Sequence, residues 1–365
     1  MRRRDLNDVD IDKPDINRLT KVMRFEEADR VPYLEFWVTS KPVYEFVLGR
    51  KIEYEIVDAR LGEQSITPED HVEFAYNLGM DAVACNFSWR PGNVFKKASD
   101  GTEHYIGGRI TTRDDIQTME QPPDLENQLK YLERYLNAAK GSGVGVFANF
   151  TSFFDSAMLA VGVEKSLYMF KDDRAFMEEV MDILLENQVR VVEAVCSEFG
   201  DKIAFVLIND DIACNSGLMI DPDTFCEIFI DRMKRLIEPA KRIGKLCVMH
   251  TDGEMENVIP ILYEIGFNGV HPIEPESNDI FEIKRKWYRK MVLFGNIPTV
   301  LLAYGSKEEI ESIVKDYCER LGPCGGWVLG SSTSIMDRIP PENFVTMTKA
   351  VHKFGIFERL HTRIG

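Results

Sequence analysis

Eight short apolar runs recur along the chain, and every gap between them is long enough for a crossover. They lie at 31–36, 81–85, 143–147, 203–208, 246–249, from 269, at 291–294 and at 327–329. Runs of this length suit strands buried on both faces. Most intervening stretches carry helical spacing and helix punctuation. Thr67-Pro68-Glu69-Asp70 sets a capping hydroxyl, a first-turn proline and two acids in sequence. Ser306-Lys307-Glu308-Glu309 has the capping-box pattern, and Asp221-Pro222 opens another helix. Gly79, Gly244 and Gly266 stand where helices should stop. Parallel strands require such crossovers, whereas hairpins join antiparallel ones. The pattern therefore predicts an α/β chain, a (β/α)8 TIM barrel rather than an open doubly wound sheet. No GxGxxG follows the first run, which argues against a dinucleotide fold.

Two stretches depart from the rhythm. Residues 1–15 are polar and mixed in charge, and read as a frayed tail or an oligomer arm; residues 16–365 read as one barrel domain, with 16–25 an N-terminal helical extension. Residues 90–125 carry Gly92, Gly101, Gly107-Gly108 and an alternation around His104-Tyr105-Ile106. That predicts a β-hairpin insertion after the second strand, a lid or a contact in a homo-oligomer.

Composition narrows the partners. The net charge is −16 with no basic patch, so nucleic acid is not expected. There is no apolar run of roughly 18 residues, so no membrane span is expected. The first residues lack the apolar core of a signal peptide. Seven cysteines without a CxxC pair fit reduced thiols in a cytoplasm.

In a barrel of this kind the strand ends face one mouth, where the chemistry sits. The stretch from Lys245 to Glu276 reads strand, loop, helix, strand, and its strand ends carry His250, Asp252, His271 and Glu274. Residues i and i+2 share a strand face, so His250 and Asp252 are placed to converge. The other strand ends add Glu35, Trp37, Asn86, Trp89, Asn149, Phe150, Asp210, Asp211, Asn296 and Thr333. His250, Asp252, Asp210 and Glu274 are the catalytic candidates. Trp37, Asn86, Trp89, Asn149, Phe150, Asp211, Asn296 and Thr333 are the substrate-binding candidates. Apolar walls with a few fixed polar groups suit a small flat or aromatic substrate. Structural duties compete with these roles: Asp210 orienting a neighbour, Asp211 capping a loop, Phe150 serving as core, Asn296 fixing its turn.

Six segments carry a family resemblance. They are Asp29-Arg30-Val31-Pro32, Leu78-Gly79-Met80-Asp81-Ala82, Asn209-Asp210-Asp211-Ile212, His250-Thr251-Asp252-Gly253, Phe294-Gly295-Asn296-Ile297, and 328–335 with Pro341-Glu342-Asn343. In this order they resemble the uroporphyrinogen decarboxylase superfamily, which implies a (β/α)8 barrel. True decarboxylases of that superfamily carry an arginine-rich segment after the first strand, where this chain has Phe36-Trp37-Val38-Thr39-Ser40-Lys41. Their aspartate after the second strand has no acidic counterpart, Asn86 or Ser88 being nearest. Thr333 stands where their histidine is expected near the last strand. The cations at the mouth are mainly Arg90 and Arg338, a poor match to a substrate with eight carboxylates.

The chain is more similar to the methyltransferase branch. That resemblance implies demethylation of a small methoxylated or methylated compound, with transfer to cobalamin carried by a partner corrinoid protein. Its coenzyme M enzymes bind zinc through His-x-Cys and a later Cys. Here His250 matches the first ligand, Asp252 replaces the first cysteine and Thr333 the second. His250 is thus the metal-ligand candidate, and His250, Asp252 and Glu274 form the harder set that remains. Without sulfur ligands the expectation is substoichiometric zinc or none. A decarboxylase or other lyase acting on a smaller substrate, or a non-catalytic binding member, are the alternatives.

Overall fold

The computed structural model describes residues 11–58, 63–97 and 103–358. Seven parallel strands form one curled sheet. Its spatial order is Trp327–Val328, Val292–Phe294, Gly269–His271, Cys247–His250, Val206–Asn209, Gly145–Thr151 and Ala82–Phe87. Residues 31–36 supply the eighth stave and close the ring. Tyr33 bridges Leu329 in parallel. Leu34 donates to the Leu329 carbonyl (3.1 Å), and Leu329 to that of Pro32 (3.0 Å). On the other side Asp81 donates to the Tyr33 carbonyl (2.8 Å). This stave is a chain of bridges rather than a ladder. Pro32 has no N–H, and the Tyr33 N–H goes to the Asp81 carboxylate (3.1 Å).

The helices start and stop where the punctuation places them. Thr67 accepts from the Asp70 N–H, and the helix Pro68–Leu78 ends on left-handed Gly79 (φ 63°). Ser306 and Glu309 form a complete capping box. The helical region 164–199, which the sequence breaks near Lys171-Asp172-Asp173, is two helices, Val163–Asp172 and Arg174–Phe199, and the Asp173 carboxylate caps the second. The insertion is the antiparallel pair Asn93–Lys97 and Glu103–Gly108. Two further hairpins, Tyr54–Asp58 with Glu63–Ile66 and Ala213–Cys214 with Gly217–Leu218, have no counterpart in the expected pattern.

Residues 1–10 of the polar tail lie outside the described residues. Residues 11–15 are not frayed: the Asp12 N–H bonds His352 Nδ1 (3.2 Å) and the Asp15 N–H bonds Asp81 (2.9 Å). Among the described residues no helix is long and apolar enough to cross a membrane. The seven cysteines are free.

The barrel is filled by aromatic rings. Phe36 lies 5.3 Å from Phe147 and 5.4 Å from Phe294 between ring centroids, and Phe147 stacks on Phe205 at 4.5 Å. All four are buried. Rings from staves on opposite sides touch only inside the barrel, so this layer is the floor on which the mouth rests.

Candidate active site

His250 ends its strand in register with Asn209 on one side and His271 on the other. The residues that follow those strand ends are therefore neighbours too. His250 Nε2 lies 3.7 Å from Asp211 Oδ1 and 4.0 Å from Asp252 Oδ1. His250 Nδ1 meets His271 Nδ1 at 2.8 Å. The Trp37 ring stands edge-on to His250 with centroids 4.4 Å apart, and Phe36 covers His271 at 4.0 Å. One face of this group is thus aromatic and the other acidic.

The electrostatics follow from that placement. Burial pushes His250 down to about 4, against the pull of Asp211. Burial pushes Asp252 up to about 7, with further repulsion from Asp211 and Glu274. Like charges crowded at a half-buried site favour a shared proton. Asp155 is a fourth acid at this mouth, raised to about 6 by burial, with Arg90 opposing and Asp211 adding to the shift. Asp155 is absent from the sequence-derived candidates, and Arg90 enters there only as a cation of the mouth. The available signal was positional, since Asp155 closes the third strand's segment and Arg90 the second's.

The remaining candidates divide. Asp210 is fully buried, and its oxygens accept the N–H groups of Asp155 (2.6 Å) and Phe154 (3.4 Å). It caps the helix Phe154–Val161, whose own N-cap residue Phe153 offers no oxygen. Both oxygens thus receive backbone N–H groups, a capping duty, while burial lifts the carboxyl to about 8. Glu274 is corrected as a ligand partner. Its carboxylate accepts from the Gly253 N–H (2.8 Å), and Asp211 takes the third place beside His250 and Asp252. Phe150 is corrected as a pocket wall. Asn149 lies two residues beyond the inward-facing Phe147, so the pleat turns Phe150 to the opposite face. There it stacks on Phe87 at 4.8 Å, fully buried.

Asn149 Nδ2 donates to Asn86 Oδ1 (2.8 Å), while Asn149 Oδ1 is buried without a partner among the described residues. The Asn296 amide is likewise buried and unpartnered at both ends. Trp89 is buried and tied by its indole N–H to the Glu120 carbonyl (3.1 Å). Thr333 is half-buried, and its carbonyl accepts from Ser331 Oγ. Glu35 accepts from the Ser331 N–H, and its carboxyl also lies at hydrogen-bond distance from the Ser331 hydroxyl, whose one hydrogen goes to Thr333. An open surface depression along the helix Arg174–Phe199, lined by Arg174, Glu178, Asp182 and Glu186, contains none of these groups.

Asp211, His250 and Asp252 each bring one ligand atom within 4.8 Å of the others. Asp252 Oδ1 is buried and has no hydrogen-bond partner among the described residues. One imidazole and two carboxylates suit a divalent cation of hard or borderline character. The residues present therefore fit a metal ion.

The fold has solved counterparts. A methyltransferase from Methanosarcina mazei superposes with a TM-score of 0.71 at 18% identity, covering 94% of this chain and 99% of that one. A glycoside hydrolase family 5 enzyme from Prevotella bryantii B14 reaches 0.47 at 13% identity, covering 79% and 87%, and carries no functional argument. At 18% identity the likeness to the methyltransferase shows a shared fold alone. No curated protein matches the chain. The family model described as uroporphyrinogen decarboxylase (URO-D) matches residues 97–354, and the chain belongs to that family.

Proposed function

We propose that this chain is a methyltransferase that removes a methyl group from a small methoxylated or methylated compound and delivers it to cobalamin on a partner protein. The observation that carries the reading is Asp252. It is an acid held near neutral pKa beside His250, with Trp37 on that histidine's other side. Breaking a methyl ether leaves the bonding electron pair on oxygen, and that oxygen must gain a proton to leave as an alcohol or phenol. Asp252 donates it, and recovers a proton from solvent through the 40% of its side chain that is exposed. Phe36 and Trp37 occupy the place where an arginine-rich segment would hold carboxylates, and they offer flat apolar surface instead.

The cobalamin, when present, supplies the nucleophile that accepts the methyl group. A divalent cation on His250, Asp211 and Asp252 would polarise the same oxygen. The two roles exclude each other at Asp252: with a cation bound it is a ligand, and Asp155 is the acid that remains. The barrel shared with the Methanosarcina mazei methyltransferase supports the reading at the level of fold.

The test is a screen for methyl transfer from methoxylated aromatics, methylamines and methylated thiols to cob(I)alamin, followed by its absorbance. Transfer from one donor class is the expected result. Carbon dioxide release from a small carboxylic acid, with no donor active, would overturn it.

A further inference from the structure

We infer that His271 is a positioning residue that sets the tautomer of His250 and leaves His250 Nε2 bare towards Asp211 and Asp252. The inference concerns the site to which methyl transfer is assigned above, but it stands on ring geometry.

The two Nδ1 atoms lie 2.8 Å apart in buried surroundings. One hydrogen fits between them: two N–H groups would collide and two lone pairs would repel. The far edge of His271 decides who holds it. With Nδ1 taken by His250, the His271 nitrogen left for the Ser331 backbone is Nε2. Ser331 has already given its N–H to Glu35, so what it offers the ring is its carbonyl. A Cβ on Gly295 would touch both that carbonyl oxygen (3.2 Å) and His271 Cδ2 (3.9 Å), the carbon next to Nε2. A carbonyl accepts only, so His271 Nε2 carries the hydrogen and His271 Nδ1 the lone pair. His250 Nδ1–H therefore donates to His271, and His250 Nε2 is left with its lone pair. Ser331, His271 and His250 form a relay in which a backbone carbonyl on the last strand's turn determines which histidine nitrogen faces the acids. The opposite tautomer would point an N–H at Asp211 and be unable to hold a cation.

Long-range proton–nitrogen correlation on histidine-labelled wild-type protein tests this directly, with signals assigned by their loss in His250→Gln and His271→Gln. The expected spectrum has the hydrogen on Nδ1 of His250 and on Nε2 of His271. A hydrogen on His250 Nε2 overturns the proposal, whatever the protein's methyl-transfer activity. A Co2+ titration read by visible absorbance gives a second arm. His271→Leu, which removes the acceptor, should weaken Co2+ binding about 10- to 100-fold. His271→Gln, whose amide oxygen accepts the Nδ1 hydrogen, should recover most of it. A folded His271→Leu variant that binds Co2+ as tightly as wild type overturns the relay. If wild type takes up no Co2+, or His271→Leu fails to fold, the wild-type tautomers decide.

Discussion

The Asp210 carboxylate accepts the Asp155 N–H at 2.6 Å, capping a helix that begins on a different strand's loop. This single contact joins the ends of two staves and sets an acid of the mouth, Asp155, at the helix's first turn. Asp210→Ala leaves two buried N–H groups without an acceptor. It should lower stability by roughly 2–3 kcal/mol, read as a drop in the urea midpoint. A variant with wild-type midpoint and no activity would make Asp210 a catalytic group rather than a cap.

Asp252→Asn keeps the shape and removes the proton. Methyl transfer from the ether substrate should fall at least about 100-fold, with the urea midpoint nearly unchanged because strand-end residues at the mouth serve chemistry more than stability. His250→Ala should abolish turnover with the same retention of fold. Normal turnover by both variants would move the active centre elsewhere.

Phe150 distinguishes core from wall. Phe150→Ala removes a ring stacked on Phe87 at 4.8 Å and should cost roughly 3–5 kcal/mol. Phe150→Leu, milder in volume, should leave KM for the methyl donor unchanged. A severalfold rise in KM without loss of stability would put the ring back in the pocket.

Glu35 makes stability depend on pH. Burial lifts its carboxyl from 4.5 to about 7, against its bonds from Ser331. The folded state therefore holds the proton more tightly than the unfolded chain. That contribution is complete below about 4.5 and is lost as pH rises through about 7. Relative to Glu35→Gln, the wild-type protein should lose roughly 2–3 kcal/mol between pH 5 and pH 8. Urea denaturation of both proteins at the two pH values measures the difference, and parallel curves would refute it.

Uroporphyrinogen should not be a substrate. No arginine-rich segment lies between Phe36 and Lys41. Incubation should release no carbon dioxide above background, and accumulation of coproporphyrinogen would reverse the functional reading.

Much of the barrel is legible in the chain because its signals are local. A buried parallel strand is a short apolar run, a helix start is a hydroxyl or carboxylate three residues before the N–H it accepts, and a helix stop is a glycine. Thr67, Asp221, Ser306 and Gly266 all act within their own turn. The strand-end positions of His250, Asp211 and Asp252 follow from the same reasoning. The hairpin Tyr54–Asp58 with Glu63–Ile66 escaped because its strands are short, charged and only weakly alternating.

What a strand end does once placed was decided by contacts between distant residues. Asp210 and Asp211 are adjacent and chemically identical. One is fully buried against the N–H groups of residues 154 and 155, while the other faces His250 across 3.7 Å. Glu274 spends its carboxylate on Gly253, and His271 lies against His250 because their strands pair in register. The sequence by itself determined the staves and their order, since those depend on periodicity and on neighbours a few residues away. Only the tertiary structure decided which strand-end side chains are spent on backbone groups and which face one another, because a carboxylate's role is set by the donors and charges that other strands bring to it.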